Sequence, residues 1–224
     1  MQTDSQKKAF VSYEADNWFK RNFEALKKYD AKEDKIISLL KSYNIAPKNV
    51  LEIGCSAGYR LDGMRKTFST GKVVGIEPSN TAIEYGKQNY PEVEFHQGTA
   101  DNMSCFKDAS FDVLIVGFVF YVVDRSLLLR TIAEIDRVLQ DNGILIIIDF
   151  FTEASVRRNY AHISEFPAFT FKDKYDEIFT ATHLYHLLSK SSYNHESLQP
   201  DAADDFQNLY TISLVKKSLN AAYK

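Results

Sequence analysis

The sequence predicts a doubly wound α/β sheet that is mostly parallel and carries helices on both faces. Short apolar runs alternate with helical patterns between residues 49 and 150, in the order that parallel sheets require. The last of these runs, Ile144–Phe150, is apolar almost throughout, as a central strand covered on both faces should be. After the first run, Gly54 and Gly58 permit a tight turn whose backbone a ligand can approach closely.

Residues 1–46 precede this pattern and predict a cap of helices at the N-terminus. A helix over Phe10–Tyr29 is predicted by apolar residues near helical spacing, namely Trp18, Phe19, Phe23 and Leu26. A second helical pattern runs through Ile36, Ile37, Leu39 and Leu40 and ends before Asn44-Ile45-Ala46-Pro47. We expect the apolar faces of both helices to pack on the core.

Residues 47–150 are the predicted ligand-binding core, with five strands and three helices. The strands are Asn49–Ile53, Lys72–Ile76, Val93–Gln97, Phe111–Gly117 and Ile144–Phe150. The helices are Tyr59–Phe68, Thr81–Tyr90 and Ser126–Gln140. The last helix is expected to stop at Asp141–Gly143, because a glycine there readily ends a helix.

The pattern changes in residues 151–224, which we expect to form the substrate side of the molecule. Thr152–Phe166 is predicted to be a helix, and Pro167–Thr182 an aromatic and charged loop or short helix. Two β-rich runs follow, His183–Ser192 and Asn208–Lys216. The polar segment Asn194–Asp205 between them is predicted to be a mobile surface loop. We expect all three regions, residues 1–224, to form one domain.

Composition limits the classes of function. A chain of 224 residues, 45% of them hydrophobic, suits a single domain with a full core, and its net charge of -3 gives no bulk attraction to nucleic acid. The two cysteines, Cys55 and Cys105, form neither a metal-binding pattern nor a disulfide framework. Met1–Lys8 is polar, and no apolar run reaches the roughly 18 residues of a membrane span. We therefore expect a cytoplasmic protein without a membrane segment or a bound metal.

The turn after the first strand resembles a known motif. Glu52-Ile53-Gly54-Cys55-Ser56-Ala57-Gly58 is similar to the glycine-rich motif E/D-x-G-x-G-x-G of class I S-adenosylmethionine-dependent methyltransferases, with Ser56 at the middle glycine. Glu77 follows the second strand, where a carboxylate can bind both hydroxyls of a ribose. NAD-binding domains also use a glycine-rich turn, but they are expected to continue in parallel units. The two terminal β-runs favour the Rossmann-like methyltransferase sheet, whose last strand is antiparallel and inserts between the preceding two.

The resemblance implies S-adenosyl-L-methionine as the cofactor and a binding site at the strand ends. Glu52, Gly54 and Gly58 would surround its methionine part, and Glu52 would act on its ammonium group through water. Glu77 would bind the ribose hydroxyls, Pro78 and Ser79 would border the adenine, and Asp101 would read the adenine edge. The other residues predicted to bind the cofactor are Cys55, Ser56, Thr99, Ala100, Gly117 and Phe118. Asp112 is similar to a family position that supports strand four.

The acceptor side is less well defined by motifs. Gly117–Asp124 is rich in aromatic residues and lacks the Asn/Asp-Pro-Pro-aromatic motif of many amide and base nitrogen methyltransferases, which favours a small molecule in an apolar pocket. Asp16–Asn22 resembles an N-terminal segment of small-molecule methyltransferases from polysaccharide-type gene clusters. The residues predicted to contact substrate are Tyr13, Trp18, Arg21 and Tyr121.

A hydroxyl acceptor benefits from a general base, and Asp149 at the end of strand five is the predicted one. His162, His183 and His186 are further candidates, each with a structural role as the alternative. The predicted function is methylation of a small polar acceptor, with O-methylation of a sugar or sugar nucleotide favoured. Three alternatives stay open: N-methylation of a small metabolite, a non-catalytic subunit that binds the cofactor, and an NAD-dependent oxidoreductase. The sequence also leaves open whether the protein forms a homodimer.

Overall fold

The computed structural model describes residues 5–165, 167–201 and 209–222. Nine strands lie in the described part of the chain, and their bounds are β1 Asn49–Ile53, β2 Lys72–Glu77, β3 Glu94–Gln97, β4 Phe111–Gly117, β5 Leu139–Phe150, β6 Val156–Asn159, β7 Phe169–Lys172, β8 Tyr185–Asn194 and β9 Leu209–Lys217. Seven of them form one sheet in the order β3-β2-β1-β4-β5-β9-β8. The strands β6 and β7 form a separate hairpin.

The strand directions confirm the predicted fold class. β3, β2, β1, β4 and β5 pair in parallel, whereas β9 runs antiparallel between β5 and β8. β1 lies between β2 and β4, so the order of the chain reverses there, and ligands bind at such a point in an open α/β sheet. The antiparallel pair is the terminal arrangement expected from the two β-runs. An NAD-binding domain would instead be expected to continue in parallel units.

Helices cover both faces of this sheet. Their bounds are α1 Ser5–Ala9, α2 Ala15–Leu26, α3 Lys35–Ser42, α4 Tyr59–Phe68, α5 Asn80–Asn89, α6 Leu128–Val138 and α7 Tyr175–Thr180. On one face, Leu40 of α3 and Leu61 of α4 are buried with Val50 of β1. On the other, Ile135 of α6 is buried with Leu51. Neighbouring residues of β1 thus enter opposite cores, which explains why the central strands are apolar throughout.

The predicted N-terminal helices exist and attach to the core. Between α1 and α2 the chain makes a π-helical turn, Phe10–Glu14. Phe19 and Phe23 of α2 pack edge-on, and the ring centroid of Phe23 lies 5.0 Å from that of Tyr85 in α5. Asp16 accepts hydrogen bonds from the Ser79 hydroxyl (2.6 Å) and the Thr81 amide (3.1 Å). These contacts fix the cap over the carboxyl ends of the strands.

The helix predicted over Thr152–Phe166 is wrong. Residues 156–159 form β6, which pairs with β7 in an antiparallel register from Val156 opposite Lys172 to Asn159 opposite Phe169. The ladder continues where the Tyr160 amide donates to the Ala168 carbonyl at 2.8 Å. Ala154, Arg157 and Arg158 have good helix propensity, but pairing with a distant aromatic strand overrides that local preference. Residue 166 itself lies outside the described residues.

Other boundaries shift by a few residues. The helix predicted over Ser126–Gln140 ends at Val138, and the extended chain of β5 begins at Leu139. Pro167–Thr182 divides into β7 and the short helix α7, so the short-helix part of that prediction is confirmed. In the predicted loop Asn194–Asp205, residues 202–205 lie outside the described residues, as does Asn208 at the predicted start of the last strand. None of the described helices has the length and apolarity needed to cross a membrane.

Candidate active site

A cavity of about 1070 Å³ opens at the carboxyl ends of β1, β2 and β4. Its floor comes from the loops after these strands, and its other walls come from the N-terminal helices and the β6–β7 hairpin. Small-molecule sites usually enclose roughly 300–1,000 Å³. The cavity therefore has room for a ligand of drug size or larger.

The glycine-rich turn after β1 brings the backbone to the cavity surface. Gly54 has a φ of +74°, and a Cβ atom there would lie 2.5 Å from Cγ2 of Val119. Gly58 has a φ of +80°, and its Cβ would lie 2.7 Å from the Phe95 ring. Both positions require glycine, because L side chains rarely adopt this conformation and neither has space for one. Gly54 lines the cavity, whereas Gly58 stands behind it against β3.

A buried ion-pair network holds Glu52 beneath this turn. Arg60 of α4 binds Oε1 of Glu52 and, through Nε, Oδ2 of Asp34 at 2.9 Å. Burial raises the pKa of Glu52, and Arg60 opposes that shift. The second carboxylate oxygen of Glu52, Oε2, is buried and has no hydrogen-bond partner among the described residues. Such an oxygen is costly unless a donor reaches it, so Glu52, which lines the cavity, carries one buried acceptor that no described residue satisfies.

Glu77 lies at the tip of β2 and binds the glycine-rich turn. Its Oε2 accepts from the Ser56 amide at 2.8 Å, and its Oε1 accepts from the Ser79 amide at 2.9 Å. Burial raises the pKa of Glu77 to about 7, although both amides favour the ionised form. Each oxygen of a carboxylate has two lone pairs. Glu77 can therefore accept two further hydrogen bonds while it keeps the turn in place.

The segment after β3 completes the same wall of the cavity. Gly98, Thr99, Ala100 and Asp101 all line it. Oδ2 of Asp101 accepts from the Lys7 ammonium of α1 at 2.7 Å. Burial tends to raise the pKa of Asp101, but the bonds from Lys7 and Thr99 outweigh it and lower the value. The predicted adenine-reading acid thus lies in the cavity, paired with a residue of the N-terminal cap.

Two other predicted cofactor residues have local structural contacts. Ser79 does not line the cavity, because its hydroxyl accepts from the Ala82 amide at the start of α5 and donates to Asp16. The thiol of Cys55 points to Gly75 of β2, where even a methyl group would lie 2.2 Å from the sulfur. Pro78, Ser56 and the backbone of the turn remain in the cavity lining. Asp112 accepts from the amides of Lys48 and Asn49, the supporting contact expected at that position.

Asp149 does not line the cavity. Its side chain is 1% exposed, and its Oδ2 accepts from the Tyr121 amide at 3.3 Å. Its Oδ1 accepts from the Phe150 amide at 2.8 Å. Burial raises the pKa of Asp149 to about 7 against these bonds. The carboxyl group therefore holds the loop after β4 from behind, and any effect on an acceptor passes through that loop.

The loop after β4 supplies an aromatic wall. Phe118 has a φ of +52°, a strained value for a residue other than glycine, and its amide donates to the Ile148 carbonyl at 2.8 Å. The ring centroid of Phe118 lies 5.2 Å from that of Phe150, and Tyr121 packs edge-on against Phe150 at 4.9 Å. His195, which the sequence did not single out, joins this wall 5.1 Å from Phe150. Partial burial and the charge of Lys172 lower the pKa of His195, so its imidazole is neutral at pH 7.

The π-helical turn changes which residue of the N-terminal cap faces the cavity. Tyr13 is 43% exposed and lies outside the cavity lining, whereas Glu14 is 1% exposed and lies within it. Trp18 and Arg21 line the cavity, and their contact with an acceptor remains a prediction. Nothing in the sequence singled out Glu14, because the extra residue of a π turn shifts the phase of the helical pattern.

The predicted histidines are scattered. His162 lies in the cavity lining with an exposed side chain, 5.5 Å from the Tyr160 ring. His183 and His186 lie outside the lining, and His183 ends the turn after α7 with a φ of +60°. Among residues 5–165, 167–201 and 209–222, no group of three His, Cys, Asp or Glu side chains could hold a metal ion.

The hydrogen-bonding groups of Glu52 and Glu77 fit a ligand that combines an adenosyl group with an amino acid. The open Oε2 of Glu52 suits an ammonium group, and the free lone pairs of Glu77 suit two neighbouring hydroxyls. The space at Gly54, which a Cβ would fill, lies at the tip of β1 next to Glu52. These features lie at the ends of adjacent strands, which places them in one half of the cavity.

Part of the chain matches a known family. Residues 51–147 match the family described as a methyltransferase domain. A ubiquinone/menaquinone biosynthesis C-methyltransferase of Campylobacter jejuni is 27% identical over 107 residues, which are 45% of this chain and 44% of that protein. A malonyl-[acyl-carrier protein] O-methyltransferase of Halalkalibacterium halodurans is 28% identical over 109 residues, 46% of this chain and 40% of the relative. The matched part thus spans less than half the length of these relatives.

Solved structures show the same fold. A methyltransferase of Methanosarcina mazei that depends on S-adenosylmethionine superposes with a TM-score of 0.62 at 17% identity, over 81% of this chain and 97% of that one. The 1,6-didemethyltoxoflavin-N1-methyltransferase of Burkholderia thailandensis superposes with a TM-score of 0.67 at 14% identity, over 96% of this chain and 90% of that one. That structure contains 1,6-didemethyltoxoflavin and S-adenosylhomocysteine.

Proposed function

We propose that this chain, whose residues 51–147 match a methyltransferase domain, transfers the methyl group of S-adenosylmethionine to a hydroxyl group of a small polar acceptor. The observation that carries the proposal is the pair of buried carboxylates, Glu52 and Glu77, at the tips of the adjacent strands β1 and β2. They flank a turn that only glycine can make at Gly54. One carboxylate has an open oxygen, and the other has open lone pairs.

The half of the cavity at the tips of β1 and β2 is called the cofactor half, and each residue there has a proposed role. Glu52 binds the ammonium group through Oε2 while Arg60 fixes the carboxylate. Glu77 binds the ribose hydroxyls, and Thr99 and Asp101 bind the adenine edge. S-adenosylmethionine supplies a methyl group already activated by a positively charged sulfur. The protein then has to orient an acceptor and exclude water, and positioning alone can contribute about 7–11 kcal/mol to a barrier.

The other half of the cavity, next to the aromatic residues after β4, is called the acceptor half, and its lining favours a small molecule as the substrate. Phe118, Tyr121 and Phe150 form an apolar wall, and the N-terminal cap and the β6–β7 hairpin close the cavity around it. Aromatic faces also favour a nearby sulfonium charge. The two curated relatives named above are a C-methyltransferase and an O-methyltransferase, so their names leave the acceptor atom open. The narrower expectation of a sugar or sugar nucleotide rests on the sequence alone.

A cofactor titration followed by a transfer assay tests this function. S-adenosylhomocysteine should bind and raise the melting temperature, whereas NAD and NADH should do neither. Labelled methyl groups should then pass to at least one fraction of a metabolite extract. Binding without transfer to any fraction would support the non-catalytic subunit instead, and failure of S-adenosylhomocysteine to bind would overturn the proposal.

Two further expectations from the sequence belong to this proposal. A cytoplasmic location is the first expectation, and the two free cysteines, Cys55 and Cys105, agree with a reducing compartment. A homodimer is the second expectation. Fractionation of cells and light scattering of the purified protein test the two separately.

A further inference from the structure

A buried carboxylate lies in the acceptor half of the cavity, away from the two that face the cofactor half. Glu14 ends the π-helical turn and accepts hydrogen bonds from both terminal nitrogens of Arg21. Its Oε1 also accepts from the hydroxyl of Tyr160, which follows β6, at 2.5 Å. The hydrogen bond that Arg21 donates to Glu14 is the main reason that the pKa of Arg21 is raised. Three side chains from two distant segments thus form one charged and hydrogen-bonded group.

The bond to Glu14 determines the hydrogen-bonding role of the Tyr160 hydroxyl. A phenol has one hydrogen, and here it is donated to Glu14. Burial raises the pKa of Tyr160, as do the neighbouring Tyr121 and the bond to Glu14, so the phenol stays protonated at any physiological pH. Tyr160 is 6% exposed and lines the cavity. Its oxygen also interacts with Arg21 and Tyr121, so a ligand that binds it has to donate a hydrogen in competition with these two side chains.

A second phenol stands beside the first. Tyr121 lines the same part of the cavity, and its backbone is held by Asp149. Burial raises the pKa of Tyr121, the charges of Asp149 and Glu14 add to this, and the Tyr160 hydroxyl opposes it. Both phenols are therefore neutral and close enough to influence each other. Together they form a polar spot in an otherwise aromatic wall.

We propose that Tyr160, held by Glu14 and Arg21, binds the methyl acceptor by accepting a hydrogen bond from its O–H group. The acceptor is then uncharged at its reacting group, and a carboxylate is excluded. A carboxylate has no hydrogen to donate, and it would place a second negative charge beside Glu14. A site built to bond a substrate O–H or N–H rejects analogues that lack it, since its own buried group is left unpaired. This inference rests on the proposed function.

Two basic side chains of the β6–β7 hairpin favour the opposite expectation, an anionic acceptor. Arg158 and Lys172 also line the cavity and would attract an anion. Arg158 is exposed, however, and the Lys172 ammonium already lies 4.9 Å from the centre of the Phe150 ring. The Glu14–Tyr160 group is buried and geometrically fixed, so it discriminates between acceptors more strongly than the exposed charge of Arg158.

The test is a screen with labelled S-adenosylmethionine against matched pairs of compounds. Each pair contains an alcohol and the carboxylic acid of the same carbon skeleton, with aliphatic, aromatic and sugar members. The wild-type protein should methylate alcohols and not the paired acids. Tyr160→Phe should lower kcat/KM for the best alcohol by about tenfold or more and reduce the preference over its acid. Calorimetry on protein saturated with S-adenosylhomocysteine should show the alcohol bound about tenfold more weakly.

Tyr185→Phe is the matched control. Its hydroxyl also donates to a carboxylate, Asp136 at 2.8 Å, but it lies outside the cavity lining. Loss of stability alone should therefore affect both variants, whereas loss of acceptor preference should follow only Tyr160→Phe. Glu14→Gln gives a second test if Tyr160→Phe folds poorly, because an amide can donate to the phenol and free its hydrogen.

The outcomes separate this inference from the proposed function. If S-adenosylhomocysteine does not bind the wild-type protein, the proposed function fails. If it binds but acids are methylated in preference to alcohols, if no pair yields a methylated alcohol, or if Tyr160→Phe keeps both kcat/KM and the preference, the role of Tyr160 is wrong.

Discussion

The two halves of the cavity are built in different ways. In the cofactor half, the groups assigned to the ligand lie at strand ends: Glu52 is the last but one residue of β1, Glu77 ends the neighbouring strand β2, and Gly54 begins the turn after β1. In the acceptor half, the fixed polar group joins Glu14 to Tyr160 across 146 positions of the chain. The sheet positions the groups of the first half, whereas the groups of the second half are positioned by two flanking segments that meet over the sheet.

This difference predicts separable functions. Changes at the strand ends should affect cofactor affinity, because backbone conformation places those groups. Changes in the flanks should affect stability and the choice of acceptor and leave cofactor affinity intact. The predictions below test this separation, beginning with the largest expected effect.

The substitution Gly54→Ala should damage the cofactor half most. The left-handed φ of +74° and the 2.5 Å approach to Val119 both oppose a Cβ atom, and together they should lower the free energy of unfolding by about 2–4 kcal/mol. Affinity for S-adenosylhomocysteine should fall by about 100-fold or more, measured by calorimetry. Gly71→Ala is the control, since its Cβ would meet only the Lys48 carbonyl at 3.4 Å. Equal affinities of the two variants would contradict the account of the turn.

Removing one arginine from each half compares them directly. Arg60→Ala leaves Glu52 and Asp34 buried without their cation and should lower the free energy of unfolding by about 2–4 kcal/mol. Arg21→Ala leaves Glu14, but Arg21 is the more exposed cation, so about 1–2 kcal/mol is expected. Only Arg60→Ala should weaken S-adenosylhomocysteine binding by more than about tenfold. A similar loss in Arg21→Ala would mean that the halves are coupled.

The buried carboxyl group of Asp149 should make the free energy of unfolding depend on pH. Its pKa is about 7 in the folded protein and about 3.8 when unfolded, so the folded state binds the proton more tightly. Stability from this group is complete below about pH 4 and is lost as the pH rises towards 7, at roughly 1.4 kcal/mol per unit. The cost of Asp149→Asn in urea unfolding should therefore be about 2–3 kcal/mol smaller at pH 8 than at pH 5. A cost independent of pH would show that the carboxyl is not buried as described.

The contact between the cap and the adenine wall should have the smallest effect. Lys7→Ala removes the partly exposed partner of Asp101 and should lower the free energy of unfolding by about 0.5–1 kcal/mol at pH 7. Because the pKa of Asp101 is lowered in the folded protein, this contribution should fade as the pH falls below the unfolded value. S-adenosylhomocysteine affinity should change by less than about threefold. A much larger loss would assign Lys7 to the cofactor site.

The sequence predicted the core well because its signals are local. Each core strand is a short apolar run, and the strand directions follow from the alternation of strand and helix. The sequence also identified Gly54 and Glu77, since their residue types have a direct backbone or hydrogen-bonding meaning at a strand end. The roles given to the cofactor residues remain predictions, although most of them line one cavity.

The flanks were harder to predict because tertiary contacts decide them. The segment that contains β6 was predicted as a helix, since Val156–Asn159 carries two arginines and gains its strand conformation from pairing with Phe169–Lys172. The π-helical turn moved the inward position from Tyr13 to Glu14. Asp149 was expected in the cleft, but the loop after β4 folds over it and uses its carboxylate. No local pattern reveals any of these outcomes.

The central claim is that the tips of β1 and β2 bind the cofactor, and a titration of S-adenosylhomocysteine into Glu77→Ala tests it most directly. Loss of two hydrogen bonds to a carboxylate should weaken binding about 100-fold or more, at roughly 1.5–3 kcal/mol for each bond. Glu94→Ala, which changes an exposed acid of β3 outside the cavity, should bind like the wild type. Wild-type affinity in a folded Glu77→Ala protein would contradict the claim.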